Sequence, residues 1–262
     1  MTTNFNTKAV CTLLALLLFV LSSTGFSETP KSLNYKIIHT LPHDPLLFTQ
    51  GLELKNGNLI ESSGHFNRSF IRIYNAATGQ TLKQAKLPAQ IFAEGITLHD
   101  RDLYLLSWKA GVVFVLDPDT LKVRKTQSYK GEGWGIAHND SSLFTSDGSH
   151  RITQRNPKNF SSLKVLEVTN PASGERIDRL NELEFAQGRL WANRWQTNWI
   201  YTIDPQSGKI LGTLNLNELV PPSLAGDRDK VLNGIAFDAE RNAFWITGKN
   251  WPLRYLIEIR EK

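Results

Sequence analysis

Cysteine is almost missing from this chain: Cys11 is the only one in 262 residues. It lies inside an N-terminal apolar run, so the rest of the chain can form no disulfide, build no thiolate zinc site and use no cysteine nucleophile. No apolar run is long enough to cross a bilayer as a helix. The most apolar stretch, residues 10–20 (VCTLLALLLFV), falls well short of the ~20 residues such a span needs. A run of basic residues is also lacking. Lys and Arg outnumber Asp and Glu by 30 to 25, a net charge of +5, but they are scattered. Without a basic stripe, a nucleic-acid partner is not expected.

The apolar stretch reads instead as the core of a secretory leader. Lys8 is its only charge, and the small residues Gly25 and Ser27 precede a suitable cleavage point. Residues 1–27 are therefore expected to be a signal peptide, with an uncleaved anchor as the alternative. The expected location is secreted or periplasmic, free of the membrane after cleavage. A cysteine-free domain of this size can bury enough core to stand without disulfides.

What the chain does have is aromatic residues and a repeat. Seven Trp, thirteen Phe and six Tyr suit strands. Five segments share the pattern x-G-Φ-x-Φ, with Φ apolar: QGLEL at 50, EGITL at 94, WGIAH at 134, NELEF at 181 and NGIAF at 233. The third departs at His138, and the fourth carries Glu182 in place of glycine. Each segment leads through a polar turn into a second apolar stretch, and the pair reads as a β-hairpin. Third strands follow at 70–74, 112–116, 151–155, 199–203 and 255–259. Turn signals such as Asp117-Pro118 and Asp204-Pro205 come next, then fourth strands such as 81–86 and 210–216.

Four strands per repeat of 40–50 residues is the arithmetic of a propeller blade. The fifth repeat runs out of chain before its fourth strand, and residues 34–41 form a lone strand before the first. The expected fold is all-β: one five-bladed β-propeller over residues 28–262, closed by the N-terminal strand.

In a propeller the first strand of each blade lines the central channel. The residue before each repeat glycine then falls on an equivalent inner position: Gln50, Glu94, Trp134, Asn181 and Asn233. The ends of the second strands add Trp108, Trp195 and Lys249, with Gly64 and Gly148 at the matching places. Taken singly, a Trp packs a core, an Asn caps a turn and a Lys is solvated. Their coincidence on equivalent positions predicts one pocket with a carboxylate, a cation, amides and indoles. Indole faces attract cations, a buried Glu94 can carry protons, and Lys249 with the amides can stabilise an oxyanion. A small zwitterionic or amide-rich ligand fits that set.

The segments FTQGLE (48–53), FAEGIT (92–97), GEGWGI (131–136), LNELEF (180–185), ANRWQTNWIYTID (192–204), LNGIAFD (232–238) and GKNWP (248–252) resemble those of the plant and bacterial glutaminyl-peptide cyclotransferases. The resemblance runs from about residue 35 to the end. It implies a five-bladed propeller that cyclises an N-terminal glutamine to pyroglutamate with release of ammonia, without a metal or other cofactor. It puts the acid/base group on Glu94, the active-site amide on Asn181, the lysine on Lys249 and the pocket indoles on Trp108, Trp134 and Trp195. Gln50 falls at the channel mouth and Asn233 in a matching motif. The implied partner is a peptide or protein with N-terminal glutamine; a monomer is expected, because nothing in the sequence demands a larger assembly. Two other readings stay open from the residues alone. One is a lactonase-type hydrolase holding calcium through Glu94, Asn181 and Asn233. The other is a propeller that binds peptides without catalysis.

Overall fold

A computed structural model describes residues 1–2 and 29–261. The expected leader, residues 1–27, and Cys11 with it, falls almost wholly outside the described residues. No described helix is long and apolar enough to cross a membrane.

The chain is all-β, with sheets arranged in a propeller-like form. It begins with β1 (Lys31–Pro42). Next comes a four-stranded antiparallel sheet of β2 (Thr49–Lys55), β3 (Asn58–Ser63), β4 (Phe70–Asn75) and β5 (Thr81–Lys86). A second sheet holds β6 (Ala93–His99), β7 (Asp102–Ser107), β8 (Val112–Leu116) and β9 (Val123–Ser128). A third holds β10 (Ile136–His138), β11 (Leu143–Ser146), β12 (Arg151–Arg155) and β13 (Ser162–Glu167). The remaining strands are β14 (Leu180–Ala186), β15 (Arg189–Arg194), β16 (Trp199–Ile203), β17 (Ile210–Asn215), β18 (Leu232–Asp238), β19 (Ala243–Gly248) and β20 (Leu253–Glu261). Together with β1 they form an eight-stranded sheet in the order β14-β15-β16-β17-β1-β20-β19-β18.

The strand β1 explains that join. It pairs antiparallel with β20 from Leu33↔Glu261 to Pro42↔Leu253, with a bulge between Ile37 and His39. Its first residues pair parallel with β17, Lys31 facing Gly212. The strand is longer at both ends than the 34–41 read from sequence, because both neighbours offer free edges.

Five apolar clusters fill the spaces between neighbouring groups of strands. Ile60 and Ile71 meet Leu103 and Leu105. Tyr104 and Val113 meet Ile136 and Leu143. Phe144 and Ile152 meet Leu183 and Leu190. Trp191 and Ile200 meet Phe244 and Ile257. Trp245 and Leu256 meet Leu52 and Leu59. The inner strands are thus covered on both faces, while the fourth strands β5, β9 and β13 stay largely exposed.

The repeat glycines mark where inner strands nearly touch. A Cβ on Gly51 would lie 2.4 Å from the Ile96 nitrogen, and one on Gly135 would lie 2.1 Å from the Asn181 oxygen. No side chain fits such gaps. Glu182 breaks the pattern to a purpose. Its carboxyl accepts hydrogen bonds from the Leu52 nitrogen at 3.3 Å and the Ile235 nitrogen at 3.0 Å, tying β14 to β2 and β18. Glu53 and Glu184 do likewise, accepting from the Leu98 nitrogen at 2.8 Å and the Phe237 nitrogen at 3.0 Å. Inner strands that belong to different ladders are cross-linked by buried carboxyls.

Glu182→Ala strands two buried backbone N–H groups, each costing roughly 1–3 kcal/mol. Chemical denaturation is expected to show that loss. A variant within about 0.5 kcal/mol of the parent, the range of a neutral surface change, would mean that the carboxyl does not hold the inner strands.

Candidate active site

The close approach of inner strands fixes where the residues before the glycines point. Gln50, Glu94 and Asn181 stand on β2, β6 and β14, and Trp134 lies two residues before β10. Trp108, Trp195 and Lys249 follow the ends of β7, β15 and β19. These seven line a single cavity of about 230 Å³. Asn233, the eighth expected residue, stands behind the wall. It is fully buried, and its side-chain nitrogen donates to the Thr49 oxygen at 2.9 Å and reaches the Gln50 side-chain oxygen at 3.5 Å.

The two glycines that replace indoles at equivalent positions make room for neighbours. A Cβ on Gly64 would fall 2.3 Å from the Phe92 ring, and one on Gly148 would fall 2.6 Å from the Trp134 ring. Each ring occupies the place a side chain would need.

The charged pair sits at the bottom of the cavity's polarity. Glu94 is 5% exposed, and its carboxyl has no hydrogen bond among the described residues. Burial raises it well above the ordinary carboxylate range, Lys249 opposes the rise and Glu132 adds to it. Burial likewise pulls the Lys249 ammonium down to about 8, against the charges of Glu94 and Asp229. The ammonium lies 4.9 Å from the centre of the Phe48 ring, a cation–π contact. Burial thus favours the neutral form of both groups relative to exposed side chains. The side-chain oxygen of Asn181 is buried without a partner, so it too awaits a ligand.

Sequence reasoning missed four contributors. Phe48, Phe92 and Asp229 line the cavity. Phe48 and Phe92 precede Gln50 and Glu94 by two residues, and strand alternation puts such residues on one face. That repeated F-x-Q/E-G spacing was a readable signal. Glu132 was not readable. Its carboxylate accepts from the Trp108 indole at 2.7 Å and the Trp134 indole at 3.0 Å, fixing two pocket rings from a loop. The Trp134 and Trp195 rings meet edge to face at 5.5 Å.

Beneath the Lys249 turn lies a second ion pair. His43 Nδ1 contacts the Trp251 oxygen at 2.7 Å, and its Nε2 lies 3.1 Å from Glu61. Glu61 also accepts from the hydroxyls of Thr49 at 2.6 Å and Tyr74 at 2.8 Å, and Thr49 reaches the Gly248 oxygen at 3.3 Å. The backbone on either side of Lys249 is held by this network. Burial pulls His43 down, but Glu61 more than offsets it, so the imidazole pKa is raised. Burial pushes Glu61 up, but His43 and the hydroxyls win, so its carboxyl is lowered.

An axial pocket that joins a buried carboxyl, a buried ammonium, free amides and indoles defines a propeller-like protein built to hold a small polar ligand. The chain belongs to the glutamine cyclotransferase family, whose profile matches residues 10–259. It is 34% identical over 234 residues to a glutaminyl-peptide cyclotransferase of Arabidopsis thaliana, across 86% of this chain and 71% of that protein. The crystal structure of Myxococcus xanthus glutaminyl cyclase matches it with a TM-score of 0.82 at 31% identity, over 89% of this chain and 99% of that one.

Glu61→Gln breaks a pair whose members are almost fully buried, at a cost of about 3–5 kcal/mol. Glu61 contributes above its ordinary value of 4.5 and loses that contribution as pH falls; His43 contributes below 6.5 and loses it as pH rises. Thermal melts of parent and variant should therefore differ most between 4.5 and 6.5. A gap that does not change with pH would show that the pair is not ionic.

Proposed function

We propose that the protein is a glutaminyl-peptide cyclotransferase that needs no metal and acts on peptides or proteins with N-terminal glutamine. One observation carries the reading: Glu94 offers an unpartnered buried carboxyl in the same small cavity as Lys249 and Asn181. Family membership supports it independently.

The substrate's α-amine nitrogen attacks its own γ-carboxamide carbon. A C–N bond forms, the carbonyl becomes an oxyanion, and collapse breaks the bond to the amide nitrogen, which leaves as ammonia. Glu94 takes the proton from the attacking nitrogen and returns it to the leaving one. Burial that lifts its pKa suits both halves of that transfer. Lys249 and the Asn181 amide nitrogen stabilise the oxyanion, while the free Asn181 oxygen accepts from the substrate's amide. Gln50 borders the entrance, buttressed by Asn233. The indoles of Trp108, Trp134 and Trp195 pack the methylenes and keep out water, so ring closure wins over hydrolysis. Because the reaction is intramolecular, holding the folded conformer supplies much of the acceleration.

The fold reading that accompanies this is a five-bladed propeller closed by the N-terminal strand. Its support is the five clusters between strand groups and the pairing of β1 with β20. The export reading rests on the apolar run at 10–20. A calcium-dependent hydrolase is disfavoured because Asn233 stands off the cavity wall and Lys249 shares it with Glu94. Among the described residues, no group of three or more His, Cys, Asp or Glu is placed to hold a metal.

Purified protein incubated with a glutamine-initiated peptide is expected to remove one ammonia, read by mass spectrometry. Glu94→Gln should lower kcat about 10²–10⁴-fold with the fold intact; parent-like turnover would refute its role. The kcat/KM profile should rise as the α-amine, ordinarily ~7.7–8.0, loses its proton, and fall as Lys249 loses its own near 8. Lys249→Arg keeps its charge at alkaline pH, so the alkaline limb should move upward. An unmoved limb would assign it to another group.

A further inference from the structure

A cavity of 230 Å³ holds one glutamine side chain and its amine; the rest of a peptide must leave. A larger groove of about 670 Å³ opens directly beside it, a volume typical of ligand pockets. Two ring contacts and two chain junctions join them. His65, on the groove wall, packs with a tilted ring 4.3 Å from the Phe48 ring and edge-on 5.8 Å from the Phe92 ring, both of which line the inner cavity. Asn250 and Lys230 line the groove, and their chain neighbours Lys249 and Asp229 line the cavity.

The groove has a definite chemistry. Leu46, Phe70, Leu224 and Pro252 give it apolar walls, and Ser63 and Asn250 add polar groups. Its charged side chains are Arg68 and Lys230, and no Asp or Glu lines it. Lys230 is partly answered by Asp227 at 3.5 Å. The exposed Arg68 guanidinium makes no ion pair among the described residues. Two acids adjoin wall residues in the chain: Asp44 is already paired with Arg72 at 2.6 Å, and Asp229 lines the inner cavity.

We infer that this groove binds the residues following the N-terminal glutamine and selects peptides with an acidic side chain in the second to fourth positions, Arg68 being the selecting residue. The inference rests on the cyclotransferase reading for its orientation. A free cation on a half-apolar wall favours a carboxylate partner, chiefly by repelling a cationic side chain in the same place. The preference weakens as salt screens it. A second cavity beside the same loop, lined by Arg179, Arg228 and Lys230, also carries positive charge. It meets the inner cavity through the chain neighbours Trp195–Gln196, Arg228–Asp229 and Asp229–Lys230, with no ring contact across the boundary among the described residues, so the first groove is the better exit.

The test compares kcat/KM for Gln-Ala-Glu-Ala and Gln-Ala-Lys-Ala. The parent should prefer the glutamate peptide by about tenfold, and Arg68→Glu should invert the ratio. Arg228→Glu, in the other cavity, should leave the ratio close to the parent's. An unchanged ratio in Arg68→Glu, or an equal shift in Arg228→Glu, overturns the assignment. Glutamine amide is the separate check on the cyclotransferase reading, since it has no residue to place in the groove. If it is not cyclised by the parent, that reading fails. Fluorescence anisotropy with the two labelled peptides then still reads the groove: equal affinity of parent and Arg68→Glu for the glutamate peptide overturns it.

Discussion

Everything at the centre of this protein follows from how closely its inner strands approach. Where Gly51, Gly95 and Gly135 face their neighbours, the gap leaves no space for a β-carbon. Strand alternation then commits the residue before each glycine to the opposite face. A steric rule about backbones thus becomes a rule about function: side chains from sequence positions more than a hundred residues apart converge on one cavity. The same tightness leaves the inner strands close but unpaired by regular ladders. Glu53, Glu182 and Glu184 supply the missing acceptors.

Burial of ionisable groups serves two different ends here. Glu53, Glu182 and Glu184 are buried with backbone N–H partners, so their work is structural. Burial raises all four carboxyls, but Glu94 holds no backbone N–H and faces the cavity beside Lys249, whose ammonium burial pulls down to about 8. What separates the two sets is the partner: a backbone N–H from a neighbouring strand for one, an open cavity for the other. The His43–Glu61 pair stands between the two cases. It is fully partnered, and it holds the turn that presents Lys249. An active-site ammonium that must stay in a dry pocket needs such an anchor, because water offers a desolvated cation a better environment outside.

Much of this was legible in the chain. The glycine repeat marked the inner strands, and Asp-Pro and Asn-Pro turns marked the outer ones, because tight turns and close approaches are met by few residue types. Third strands at 112–116, 151–155 and 199–203 coincide with β8, β12 and β16. Seven of eight expected residues share a cavity, since equivalent repeat positions must converge when the repeats surround an axis. Glu132 was illegible because a loop residue has no periodicity to betray it. Glu182 was visible as an exception, but only its distance to Leu52 and Ile235 gave the exception a reason.

The sequence by itself determined the all-β character, the repeat and the residues that face the axis, because each depends on local spacing and on the steric demands of glycine and proline. The tertiary structure alone decided how those residues divide. It put Asn233 behind the wall, brought Glu132 to two indoles, set His65 against two cavity rings and left Arg68 with no ion pair among the described residues. Such outcomes depend on distances between strands remote in the chain, and no local spacing encodes them.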